Sequence, residues 1–504
     1  MRGTERGGPR AGRSLRAATL ACALSVFGCS AEVEPPENVV LVVVDTLRAG
    51  RTSLHGYERE TTPRLSEWAK GGAVFERAQA GSSWTVPSMA MLLTGRYRVG
   101  GGRALVRDGQ TMSRALSAQG YRTIGIVANP VLNELQGFDA GYESYDLIQG
   151  EDDDTDPLHI GSWTTGVVVE KALRWLREER DERPFFLYLH LMDPHFPYEP
   201  DDLEAFDWRA GETSLRRGDY DARLREADRG PITDEEFGAV EKLQAAYDGE
   251  VLQVDRGLGR LFDYLEESGL MERSLVVFTA DHGEGLWQRP SNDGWVNTGR
   301  VESQLLSELY RGHGEQLYDE LLWVPLVIRG PGVPAGSRDG RPTSLIDVYP
   351  TIFSLLDLSP PLGLQGAPLF GSSPPEGREE LYSICSRGTT ITEGGRWKLH
   401  LPSDRILERG ARPLLYDLER DPLERSPVSD DEVELRLRAK LTVWASLNRV
   451  EAEQLPLEEQ RQLLLQMGYV GLAEDLDEEM SREEIQRAMR AEREQRKAEE
   501  AAGD

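Results

Sequence analysis

After its first residue, the segment 38–44 (Asn-Val-Val-Leu-Val-Val-Val) is apolar at every position, and similar runs recur at 121–127, 184–191, 274–279 and 324–328. A strand that is apolar without alternation has both faces covered, as in a parallel sheet flanked by helices. Between these runs the pattern turns helical at 62–70, 110–118, 164–179 and 237–267. The alternation predicts an α/β fold: a large, mostly parallel sheet sandwiched by helices. Two stretches break the rhythm. Residues 201–234 are rich in charge and poor in apolar side chains, and residues 287–311 insert Gly, Asn and Ser just after a strand end. Over the carboxyl edge of a sheet such segments serve as substrate lids or as plain solvated loops.

From about residue 359 prolines crowd together (Pro360, Pro361, Pro368, Pro374, Pro375), which bounds a catalytic body at 38–358. Beyond it, 380–384, 387–393, 397–401 and 414–418 read as the short strands of a small antiparallel sheet, followed by helices at 431–447 and 457–468. Residues 359–450 thus form a C-terminal subdomain. The remainder, 451–504, reads as a charged helical tail, with Ser481 and Glu484 spaced as a capping box at 481–502.

The first 29 residues are read as an address. Arg2, Arg6, Arg10, Arg13 and Arg16 precede a short apolar run at 17–27, the layout of a signal peptide. Val26-Phe27-Gly28-Cys29 is similar to a bacterial lipobox, which would make Cys29 a lipidated first residue on a tether at 30–37. The expected location is exported and lipid-anchored, on the periplasmic or cell-surface side, with the membrane met through that anchor alone. Of three cysteines, Cys385 alone remains in the body, so no internal disulfide framework is expected. A net charge of −29 argues against nucleic acid as a partner.

Three features carry candidate chemistry. Asp45 follows the first buried strand, at the sheet edge where open α/β folds bind ligands. In Trp84-Thr85-Val86-Pro87-Ser88, Pro87 suits a first helical turn, so Thr85 falls near the N-cap. Its hydroxyl is there either as a cap or as a nucleophile beside N–H groups that would hold an anion. Asp281-His282-Gly283 closes another buried strand with a carboxylate and an imidazole, ligands suited to Zn or Mn.

Together, Asp45, Thr85-x-Pro87-Ser88 with Thr94-Gly95, and Asp281-His282-Gly283 resemble the sulfatase family of the alkaline phosphatase superfamily. Further landmarks run collinear with it over about residues 38 to 425: Asp193-Pro194-His195-Phe196-Pro197, Tyr247-Asp248-Gly249-Glu250, Gly312-His313-Gly314 and Asp347-Val348-Tyr349-Pro350. The resemblance implies one divalent metal ion, Mn or Zn favoured and Ca possible, held by Asp45, Asp281, His282 and the nucleophile Thr85. It implies that His195 and His313 hold substrate oxygens or assist the leaving group, and that Asn129 contacts substrate. His55, His159, His190 and His400 have no such support and read as structural or solvated.

The chain departs from the family at the nucleophile. Sulfatases carry Cys or Ser there, matured to formylglycine, and an Arg four residues on; this chain has Thr85 and Met89. A Thr ester cannot release its group by the elimination open to a formylglycine diol, so water must attack sulfur or phosphorus directly. That favours phosphoric diesters or phosphonates, as small anionic esters or as the head group of a larger glycan or lipid. The alternatives are a sulfuric ester hydrolase without formylglycine, a phosphoryl head-group transferase, and an inactive surface-anchored binding protein. The sequence leaves the oligomeric state open.

Overall fold

The computed structural model describes residues 34–99, 109–148, 164–198, 200, 206, 234–290, 309–371, 377–408 and 410–449. The signal segment with Cys29, His159, the interior of the 287–311 insertion, nearly all of 201–234 and the tail helices lie outside them.

In chain order the strands of the body are β1 (Asn38–Val44), β2 (Ala73–Gln79), β3 (Arg122–Val127), β4 (Ser144–Leu147), β5 (Phe185–Leu191), β6 (Ser274–Ala280), β7 (Gly285–Pro290), β8 (Leu309–Gly312), β9 (Trp323–Arg329), β10 (Ser337–Asp339) and β11 (Thr343–Ser344). Nine of them form one sheet in the order β10-β2-β9-β6-β1-β5-β3-β4, with β11 also on β2. β1 is central and parallel to both neighbours, β5 and β6. All seven of its residues are buried, and each buried valine contributes roughly 1.5–3 kcal/mol relative to exposure, so this segment belongs in the middle. The sheet is mixed at one side, because β9 runs antiparallel to both β6 and β2.

The helices longer than a single turn are α1 (Pro63–Trp68), α2 (Thr85–Thr94), α3 (Met112–Ala118), α4 (Thr164–Arg174), α5 (Asp234–Glu267), α6 (Val348–Leu355) and α7 (Asp431–Leu447). The pattern foretold all of these regions except α2's full extent and α6. α4 continues into a wider π turn at Trp175–Glu179. The ends of the 287–311 insertion are paired: β7 and β8 form a two-stranded ribbon.

The small sheet follows as expected, β12 (Glu380–Cys385), β13 (Gly388–Glu393), β14 (Trp397–Pro402) and β15 (Leu414–Asp417), antiparallel throughout. It is built into the body. Met91 of α2 and Ile346 pack in one apolar cluster with Ile391, Leu399 and Leu415 of the small sheet and Leu437 of α7. The chain entering α2 is held from the same side: Ile384 N donates to Gly81 O at 3.0 Å and Ser383 Oγ to Ala80 O at 2.6 Å. Beneath the small sheet, fully buried Lys398 bridges Asp319 and Glu424 at 2.6 and 2.8 Å, and Glu424 also receives His400 Nε2 at 3.1 Å.

Candidate active site

β1 and β6 end side by side, and their next residues, Asp45 and Asp281, both turn into the space above the sheet edge. Thr46 has φ of 56°, a left-handed conformation rare for a β-branched residue. That bend brings Thr46 N within 3.1 Å of Asp281 Oδ1, which also accepts His282 N at 2.7 Å. Gly283 then turns the chain away against the Asp319–Leu322 turn. A Cβ there would lie 2.1 Å from Glu320 O, so only glycine fits.

Thr85 lies near the N-cap, as expected. Trp84 is the N-cap, with extended backbone, and Thr85 is the first helical residue. Its hydroxyl, freed from capping, lies 3.2 Å from His282 Nε2. The helix is tied to the neighbouring strand end by Ser88 Oγ, which donates to Asp281 O at 2.6 Å. Met89 is fully buried in the main core.

Proton positions follow from the partners. His282 Nδ1 faces Gly283 O at 2.9 Å, a carbonyl that only accepts, so Nδ1 carries the hydrogen and Nε2 presents its lone pair. Beside that lone pair, Asp45 Oδ1 and Asp281 Oδ2 are buried oxygens without a hydrogen-bond partner among the described residues. Two buried carboxylates cannot share a site cheaply. Burial, and then the charge of Asp45, push Asp281 well above the usual carboxylate range. Burial would raise Asp45 too, but the His190 hydrogen bond and the imidazoles of His195 and His282 hold it below that range. Burial and the neighbouring His313 lower His282 to about 3, so it stays neutral. Orphaned carboxylate oxygens, a neutral imidazole lone pair and a hydroxyl are a donor set that fits one divalent cation.

His190, read from sequence as structural or solvated, belongs to this cluster. It is fully buried on β5, with Nε2 3.2 Å from Asp45 Oδ2, and Asp45, His190 and Asp281 each offer an atom within 4.8 Å of the others. Asn129 also reaches Asp45 Oδ2, through Nδ2 at 2.5 Å. The remaining imidazoles line one side. His313 stacks near His282 with ring centroids 4.5 Å apart, and His195 is 5.1 Å from His313. The His195 loop is anchored by Asp193, whose buried carboxylate accepts Thr164 Oγ1 and Thr165 N at 2.9 Å each at the start of α4. Glu284 holds His313 Nδ1 at 3.2 Å; burial lowers the imidazole's pKa, but Glu284 outweighs it and the net shift is upward. For His195 burial prevails and the shift is downward. All seven expected residues therefore converge on one pocket of space, with His190 and Glu284 added. His55 and His400 lie elsewhere, hydrogen-bonded to Thr52 and Glu424.

A mostly parallel sheet that gathers acid, imidazole and hydroxyl groups at its carboxyl edge defines an α/β protein with its polar ligand site at the strand ends. The chain belongs to the sulfatase family, whose profile matches residues 37–358. It is 26% identical over 333 residues to arylsulfatase K of Rattus norvegicus, 57% of this chain and 54% of that protein; it thus spans about half the length of that relative. It is 22% identical over 451 residues to N-acetylglucosamine-6-O-sulfatase of Bacteroides thetaiotaomicron, covering 71% of this chain and 76% of the other. Among solved structures, the phosphonate monoester hydrolase of Agrobacterium radiobacter shares the fold with a TM-score of 0.61 at 21% identity, over 82% of this chain and 96% of that one.

Proposed function

We propose that this hydrolase cleaves phosphoric diesters or phosphonate monoesters through a covalent intermediate on Thr85. The observation that carries the reading is the Thr85 hydroxyl, held out of its capping role and placed 3.2 Å from the imidazole of His282. Asp45, Asp281, His282 and Thr85 would hold one divalent cation. Their mixed oxygen and nitrogen donors favour Zn or Mn over Ca. When bound, it supplies charge neutralisation and a lowered pKa for the hydroxyl it touches.

Thr85 Oγ, its proton released to solvent, attacks phosphorus in line as the bond to the leaving oxygen breaks. The N-terminal N–H groups of α2 face the anionic oxygens. His313, the more basic of the two flanking imidazoles, gives its proton to the leaving oxygen, while neutral His195 holds the substrate. Water, giving a proton back to His313, then attacks the phosphorus of the Thr85 ester, and the Thr85 oxygen leaves and regains its proton from solvent. Relatives named as sulfatases support a second reading, sulfuric ester hydrolysis without formylglycine.

Matched aryl phosphodiester, phosphonate and sulfate substrates test the choice, together with mass spectrometry of the acid-quenched Thr85 peptide. Turnover of phosphorus esters with a phosphorylated peptide supports the proposal. Turnover of sulfate esters alone would overturn it in favour of the second reading. The proposed location is lipid-anchored through Cys29, resting on the Val26-Phe27-Gly28-Cys29 motif; equal membrane retention of Cys29→Ser and wild type after a salt wash would refute it.

A further inference from the structure

Asp45 has two carboxylate oxygens with opposite fates. Oδ2 receives Asn129 Nδ2 at 2.5 Å and lies 3.2 Å from His190 Nε2, whereas Oδ1 is buried with no hydrogen-bond partner among the described residues. Each of these neighbours is fixed from behind. Asn129 Oδ1 accepts Val131 N at 3.0 Å, which sets the amide so that its N–H side faces Asp45. His190 Nδ1 lies 2.9 Å from the hydroxyl of Tyr188, two residues back on the same face of β5.

The proton count decides what His190 does. Asp45 Oδ2 already accepts the N–H of Asn129 Nδ2, and a carboxylate oxygen only accepts, so the imidazole nitrogen facing it carries hydrogen. With Nε2–H given to Asp45, Nδ1 of His190 is left to accept from the Tyr188 hydroxyl 2.9 Å away. Burial keeps that phenol protonated by pushing it well above its ordinary value. The chain of donation therefore runs from Tyr188 to His190 to Asp45. His190 stands near enough to the carboxylates to be counted with them, yet it offers them a hydrogen and no lone pair. His282 is the converse case, its hydrogen spent on Gly283 O and its lone pair turned toward the Thr85 hydroxyl.

We infer that Asn129 and His190 are positioning residues that clamp Asp45 Oδ2, so that Asp45 presents Oδ1 alone to a metal ion, and that His190 is not itself a ligand. The inference rests on the reading that Asp45 is a ligand. It assigns Asn129 a task beneath the metal in place of direct contact with substrate. Two donors on one oxygen also fix the carboxylate plane, which a single buried strand end would leave free to rotate.

The test is metal affinity, measured with Zn2+ against a competing chelator on the full-length protein, with stoichiometry and thermal melting of the metal-free form read on the same samples. His190→Phe and Asn129→Ala should each weaken Zn2+ binding by about 10–100-fold while keeping the wild-type stoichiometry. His190→Gln, whose amide places an N–H near the position of Nε2, should restore most of the affinity. His282→Ala is the comparison, since removing a true ligand should abolish stoichiometric binding. Wild-type affinity in both clamp variants would overturn the inference, as would a His190→Phe protein as metal-free as His282→Ala. Should His190→Phe fail to fold, Asn129→Ala and His190→Gln decide. Failure of wild type to bind any Zn2+ or Mn2+ would remove the clamp and the metal assignment together. A shift to sulfate esters in the substrate panel would leave the clamp untouched.

Discussion

Thr85 and His282 meet hydroxyl to imidazole across 3.2 Å, although 197 residues separate them in the chain. Because Trp84 takes the N-cap position, Thr85 is free of the local duty that its residue type usually performs there. Its removal should therefore separate catalysis from stability. Thr85→Ala is expected to lower turnover on the order of a thousandfold or more, as loss of a nucleophile does. Its unfolding free energy should stay within about 1 kcal/mol of wild type. Thr85→Ser should keep partial activity. Steady-state kinetics and urea melts on the three proteins check this.

The two buried carboxylates predict a metal-linked stability. Zn2+ or Mn2+ in excess should raise the melting temperature, because binding to the folded state alone shifts unfolding by mass action. Asp281→Asn keeps an oxygen for Thr46 N and His282 N but removes the like charge beside Asp45. Its metal-free form should melt higher than the metal-free wild type, by on the order of 1 kcal/mol, and should show no shift on adding metal. A metal-induced shift equal to wild type would refute the ligand assignment.

Glu284 and His313 form the pair expected to protonate the leaving oxygen. His313→Gln should slow esters with poor leaving groups by about 10²–10⁴-fold and nearly spare nitrophenyl esters, which leave without help. Glu284→Gln should act in the same direction and less strongly. A series of phenols of rising pKa reads this out as a steeper dependence on the leaving group.

Glu424 predicts the acid limit of the fold. Burial would raise its pKa, but Lys398 and His400 hold it below the ordinary value of 4.5. A depressed carboxylate stabilises the fold fully above its unfolded value and loses that contribution as pH falls from 4.5 toward the folded pKa. Glu424→Gln should thus cost about 3 kcal/mol at neutral pH, where Lys398 loses half its compensation, and should flatten the acid side of the stability curve. Denaturant midpoints across acid and neutral pH measure both effects.

Much of this was legible because the informative residues stand at strand ends. The uninterrupted apolar segments announced β1, β5 and β6, and Asp45 and Asp281-His282 follow two of them directly. His190 stayed hidden for the opposite reason: it lies inside Phe-Phe-Leu-Tyr-Leu-His-Leu, and the carboxylate it serves is 145 positions away. β2 was missed because Ala-Val-Phe-Glu-Arg-Ala-Gln mixes charge with apolar residues, its Glu76 half-buried and its Arg77 exposed. The reversed direction of β9 has no local signal, since an apolar strand reads alike in either orientation. That Trp84 is the cap and Thr85 the first helical residue had no local signal, since Thr is the commoner cap and Trp a rare one.

The packing of Met91 with Ile391, Leu399 and Leu415 bears on how such chains are cut for study. The profile of the family ends at residue 358, yet the floor beneath the helix bearing Thr85 is laid by residues that follow it. A fragment trimmed to the matched region would leave Met91 and Ile346 facing water and release the Gly81–Ile384 tie just ahead of the helix. Such a fragment would retain every proposed ligand and still lose the alignment of its nucleophile. Inactivity in a truncated protein would then report a missing foundation, not a missing chemistry.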